Sequence, residues 1–218
     1  MLSIAGIELL PPPATFLAFV LAGLALNIVP GADMTFVIAS AARGGRRDGI
    51  VAALGIGAGT LVHISAAVLG LSAILASSQT AFNIIKWIGA AYLLYIAVSL
   101  VLSGKQPAKE DARPAQSGMR LFKSAVLVNV LNPKVALFFL AFLPQFVDPK
   151  PAIPALQILC LGLWFDLVGT IVNAVIAVIA AGTAARVRHL SWVSGAARHL
   201  AATAMAALAL RLAFAQRH

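Results

Sequence analysis

The chain has 218 residues, 61% hydrophobic and only 11% charged, with 16 Lys and Arg against 7 Asp and Glu, and a mean hydropathy of +0.96. Soluble domains carry roughly 25% charged residues, so an ordinary water-soluble globule is excluded. The lone Cys160 rules out a disulfide framework or a cysteine metal site within one chain.

Net charge is +9, but the basic residues fall in the breaks between apolar runs rather than on one face, which is no nucleic-acid signature. One all-α polytopic membrane domain over residues 1–218 is expected. Residues 1–13 form a short head ending in Pro11-Pro12-Pro13, which can lead into a helix but not sit inside one. No Lys or Arg precedes the first apolar run, and that run is too long for a signal peptide, so it is expected to remain in the mature protein.

Span 1, about 14–41, contains the polar, helix-breaking stretch Asn27-Ile-Val-Pro-Gly-Ala-Asp33. Pro30 removes a backbone donor and Gly31 relaxes the chain after it. An acid at bilayer depth costs about 2.5–3.5 kcal/mol on insertion scales, so Asp33 is not there for stability. A broken helix with a binding or proton site at the break is expected. Freed N–H groups after Pro30 would hold a substrate carboxylate, or Asp33 would cap the restarting half-helix.

The loop Arg43–Gly49 is glycine-rich and basic. Span 2, about 50–76, carries Gly55, Gly59 and Ala67 with His63 on the same face, a stripe suited to close helix packing. His63 is expected to be an interhelical, structural histidine. Span 3, about 82–102, has Lys86 and Trp87 near its start, with Tyr92 and Tyr95 further in, read as packing residues and interface anchors. Residues 103–120 are polar and aperiodic, a flexible linker.

Span 4, about 122–146, is interrupted by Asn129, Asn132, Pro133 and Lys134. Lys134 lies too far from either end to snorkel easily, so pairing with Asp33 or Asp166 is expected; otherwise the asparagines satisfy carbonyls freed by a proline kink. Span 5, about 154–182, places Asp166, Thr170 and Asn173 on one face. Span 6 covers about 195–214. Lys and Arg are concentrated in loops 1, 3 and 5, which orients these toward the cytoplasm and both termini outward.

The halves 14–102 and 121–214 look related. Pro30 and Pro133 are each followed six residues later by an aromatic (Phe36, Phe139), and Gly89-Ala-Ala91 and Gly195-Ala-Ala197 each follow a tryptophan. Three spans per half makes the second copy inverted, the architecture of many secondary transporters. Asn27, Pro30, Gly31, Asp33, Asn129, Asn132, Pro133, Lys134 and Asp166 are the expected substrate or proton site. No metal or cofactor is expected.

At this point three stretches carry a family resemblance. Asn27-Ile-Val-Pro-Gly-Ala-Asp33 with its following basic loop, Lys86-Trp-Ile-Gly-Ala-Ala-Tyr-Leu-Leu-Tyr95, and the long run Leu127–Phe146 resemble the signatures of the LysE/RhtB family of amino-acid exporters. The resemblance implies export of amino acids or close derivatives across the cytoplasmic membrane, driven by the proton motive force. Two departures stand out: Ala32 replaces a usual proline, and Thr60 stands where many members carry an acid, which weakens a proton relay through span 2. Substrate identity and homo-oligomerisation stay open. A divalent-cation exporter would want His, Cys or acid runs, which are absent. A membrane-embedded enzyme lacks a matching motif, although Asp33 and Asp166 both lie at membrane depth. A Walker A sequence is absent.

Overall fold

The computed structural model describes residues 3–4, 7–71, 79–102, 118–147 and 154–182, with the isolated positions 199, 202, 203, 206, 207, 209 and 210. Ser3–Ile4 pairs antiparallel with Ile7–Glu8 ahead of the helices. Among the described residues every regular element after it is helical.

Helix α1, Pro13–Ile28, starts on a proline at its first turn and ends at Val29, whose ψ is 122°. Pro30 dictates that ending: it has no N–H to continue the ladder, and its ring drives the preceding residue out of the helical region. Gly31 is extended, and α2 restarts over Ala32–Ala66. The apolar stretch Ala32–Gly70 has 39 residues, which as a straight helix would reach about 58 Å, nearly twice a hydrocarbon core.

Gly45 resolves this. Its φ of 73° breaks α2 into two arms, a conformation that glycine adopts without steric penalty. A methyl on Gly49 would lie 2.7 Å from Ala41 Cβ, whereas eight residues along a straight helix are about 12 Å apart. The chain therefore folds back at Gly45. The expected loop over 43–49 shrinks to this one turn, and Arg43, Arg46 and Arg47 stand on helical turns at the corner.

The second arm passes into a π turn at Ala67–Leu71. Helix α3 is Gln79–Leu102, three residues longer at its start than expected. Helix α4, Gly118–Val130, and the half-helix α5, Pro133–Leu137, meet at a 47° bend, and α5 runs on through a π turn (Phe138–Phe142) and a 3-10 turn (Leu143–Phe146). Helix α6 is Pro154–Gly182, matching the expected span. Among the described residues, Ala32–Gly70 (taken along both arms) and Pro154–Gly182 are long and apolar enough to cross a membrane, and the bent α4–α5 pair makes a third if it crosses as one. Residues 103–117 of the linker and most of span 6 lie outside the described residues, while the linker's last three residues, 118–120, already belong to α4.

The aromatics after Pro133 form one core cluster: Phe138 stacks on Phe165 at 4.4 Å, and Phe19 of α1 meets Phe146 edge-on at 5.4 Å. A second cluster is built from small side chains, Val37, Ala41, Ala52, Ala53, Ala125 and Ala177 among them. Here glycine brings backbones together, as expected for Gly55 and Gly59. A methyl on Gly55 would lie 2.7 Å from the Phe122 carbonyl oxygen, and one on Gly59 would lie 2.7 Å from Asn129 Cβ. Outside, α6 presents Leu163, Leu167, Ile171, Val175 and Ile179 in one exposed row. Water would oppose such a row, and lipid welcomes it.

Candidate functional site

Both proline breaks orphan main-chain carbonyls, and the site is made from what satisfies them. In an unbroken helix the N–H of residue 30 would serve the carbonyl of Leu26. Pro30 has none. Lys134 Nζ takes its place, donating to Leu26 O at 3.1 Å and to Val29 O at 2.9 Å. Gly31 gives the amine room, since a Cβ there would sit 3.2 Å from Nζ. Main-chain capping across about a hundred residues of sequence thus joins the expected charge pairing of Lys134, whose amine also feels the Asp33 carboxylate across the cavity they share. An ammonium has three donors, so one remains beyond these two bonds.

At the second break, Asn132 caps α5. Its Oδ1 accepts the backbone N–H of Lys134 at 3.0 Å. This differs from the expectation that the asparagines serve freed carbonyls: Asn132 serves a freed N–H. Its own Nδ2 is buried with no partner. The first restart has no such cap, because Gly31 precedes it and Asp33 makes no capping bond. The alternative in which Asp33 caps its half-helix is not realised.

Asp33 is 8% exposed. Its Oδ2 accepts from Asn129 Nδ2 at 2.9 Å, while Oδ1 is buried without a partner. Asn129 Oδ1 accepts from the Thr60 hydroxyl at 3.4 Å, which also lies 3.2 Å from Ile56 O. His63 Nε2 stands 3.0 Å from the Asn129 backbone oxygen. A carbonyl only accepts, so this contact is a hydrogen bond in the tautomer that carries its proton on Nε2.

Asn27, Asp33 and Lys134, with Leu26, Met34, Val135, Phe165 and Asn173, line one small cavity of about 20 Å³. That is room for about one water, far below the 300 Å³ or more of typical ligand pockets. A bound amino acid would need the helices around the breaks to move apart. Asn27 reaches the cavity because Gly169 of α6 has no side chain: a Cβ there would lie 2.8 Å from Asn27 Oδ1. Asn27 Nδ2, like Asp33 Oδ1, is buried and unpaired. Such polar atoms need a partner when buried, and here several converge on one small space.

Of the expected site residues, Asn27, Asp33 and Lys134 line the cavity directly, Asn129 and Asn132 are each one hydrogen bond away, and Gly31 leaves room for the Lys134 amine. Pro30 and Pro133 are exposed and act through the breaks they make. Asp166 lies elsewhere. Its Oδ1 accepts from Thr170 at 3.4 Å, against Gly57 of α2, two turns from Asn173. Thr60, Phe165 and Met34 were not expected at the site, and no spacing in the sequence announces them. Among the described residues, no three His, Cys, Asp or Glu side chains group to hold a metal ion.

The comparisons agree with a transport role. Residues 24–216 match the model of the LysE type translocator family. An uncharacterised membrane protein of Pseudomonas aeruginosa is 33% identical over 161 residues, 72% of this chain and 74% of that protein. A homoserine/homoserine lactone efflux protein of Salmonella typhimurium is 32% identical over 178 residues, 82% of this chain and 83% of that one. The uncharacterised membrane protein YrhP of Bacillus subtilis is 32% identical over 143 residues, 62% and 68% of the two chains. No solved structure matches.

Proposed function

Since this chain belongs to the LysE type translocator family and is a membrane transporter, not an enzyme, we propose that it exports amino acids or close derivatives across the cytoplasmic membrane, driven by the proton motive force. The observation that carries this is the unpaired Oδ1 of buried Asp33, in one cavity with the amine of Lys134. A free acceptor beside a free donor suits a zwitterion: Asp33 receives the ammonium, and Lys134 with the uncapped N–H groups after Gly31 receives the carboxylate. The family relation and the Salmonella efflux relative support homoserine-like substrates.

The architecture we assign is six helices in two inverted halves, 14–102 and 121–214, joined by the cytoplasmic linker 103–120. In this reading Asn27, Asp33 and Lys134 bind the substrate, Gly31 and Asn129 support them, and Pro30, Asn132 and Pro133 shape the breaks around them; Asp33 is the proton carrier, with Asp166, outside the cavity, as the alternative carrier. Each proton moved down the potential supplies about 2.3 kcal/mol per 100 mV. The small cavity fits a carrier that opens to one side at a time rather than a channel.

Efflux from cells loaded with homoserine and other amino acids tests this, comparing wild type and Asp33→Asn with and without a protonophore. Efflux that needs both Asp33 and the gradient is expected. Silence of well-expressed wild type across a broad amino-acid panel would overturn the substrate assignment. Movement of divalent cations instead would establish the rival exporter.

A further inference from the structure

Asn129 carries two jobs with one residue. Its side-chain amide is the hydrogen-bond donor to Asp33, and its backbone carbonyl is the oxygen that Pro133, four residues on, cannot serve. The backbone N–H of Asn132 reaches that oxygen at 2.9 Å in a tight turn. A carbonyl has a second lone pair, and His63 Nε2 points at it from 3.0 Å. Thr60, three residues earlier on the same face of α2, steadies the amide end. Gly59 lets α4 come close enough for both contacts.

We propose that His63 is a positioning residue of the transport site, its Nε2–H standing in for the N–H that Pro133 lacks and so holding the Asn129 amide on Asp33. The mirror arrangement at the other break supports it. Lys134 serves the carbonyl four residues before Pro30, and His63 serves the carbonyl four residues before Pro133. Each cap comes from outside the helix whose break it serves. This inference rests on Asp33 as the carboxylate that receives the substrate's ammonium, as proposed above.

The competing role for His63 is ring packing, since it lies nearly parallel to Phe139 with centroids 6.1 Å apart. Two variants separate them. His63→Gln keeps an N–H donor at similar reach and loses the ring. His63→Phe keeps the ring and loses the donor. In inside-out vesicles taking up labelled homoserine, His63→Gln is expected to stay within about threefold of wild-type uptake. His63→Phe is expected to fall about tenfold at equal protein level, mostly through KM, as the loss of one buried hydrogen bond predicts. Normal uptake by His63→Phe, or equal loss in both variants, overturns the proposal.

A readout free of transport separates its failure from that of the functional reading. In nitrogen-15 spectra of the four histidines in purified protein at pH 8, the signal absent from His63→Gln belongs to His63. It should show a proton on Nε2. A proton on Nδ1 alone overturns the cap even if homoserine is transported. If homoserine is not transported, the Nε2 proton upholds the cap while the substrate assignment falls.

Discussion

The two proline breaks use the same device for opposite ends. At Pro133 the restart is closed: Asn132 caps the new helix, Lys134 N–H has its oxygen, and Asn129 O has His63. At Pro30 the restart is open: Gly31 brings no side chain, and Asp33 keeps one buried oxygen free. The orphaned carbonyls of α1 are served by an ammonium, which is a movable charge, rather than by a ring. A break whose restart is capped and whose carbonyl opposite the proline is bonded is scaffold, although the Asn132 side-chain amide there keeps one buried donor unpaired. A break left with unsatisfied donors and an acceptor around a water-sized cavity is where a ligand belongs.

The largest effect should come from Lys134→Met, which orphans both Leu26 O and Val29 O. At about 1–3 kcal/mol for each buried group left unpaired, a clear drop in the thermal midpoint of detergent-purified protein is expected. Pro30→Ala restores an N–H, so adding it should recover part of the loss, a coupling that a double-mutant cycle reads. If the two changes simply add, the cap at the first break is not what stabilises it.

Next comes Gly59→Val, which pushes a side chain against Asn129 Cβ and the Val126 carbonyl. Overpacking of this kind costs about 1–3 kcal/mol. Efflux should suffer more than stability, because Asn129 is displaced from Asp33. Equal efflux in this variant would mean that the contact with Asp33 is dispensable.

Smaller still, Asn132→Ala removes the cap of the second restart, worth about 1 kcal/mol. Urea or thermal unfolding should show that loss, with substrate KM nearly unchanged if the second break is scaffold. The smallest expected change in stability is from Gly31→Ser, a few tenths of a kcal/mol at a cap position. Its serine closes the open restart and crowds Lys134, so KM should rise although the fold is intact. An unchanged KM would erase the distinction between the two breaks.

Much of this was legible in the residues. Pro30, Gly31 and Pro133 fix where helices stop because their backbone chemistry is local, and α6 spans the expected 154–182. The stripe Gly55 and Gly59 foretold close packing, and Asp33 is buried against the cavity. The caps were not legible. Lys134 and Leu26 are 108 residues apart, and His63 and Asn129 are 66 apart, so no local spacing encodes either bond. Asp166 shares a helical face with Asn173, yet only Asn173 lines the cavity. A face two turns long meets different neighbours at its two ends.

The exposed row on α6 advances by four residues at each step, from Leu163 to Ile179. A helix turns once in 3.6 residues, so each step carries the row about 40° further around, and five positions sweep through about 160°. The seam where this helix meets acyl chains is therefore slanted, like the thread of a screw. Rotation of α6 about its own axis would leave each residue at its own depth and change the direction it faces, so the depth at which the row meets a given neighbour would shift along the bilayer normal.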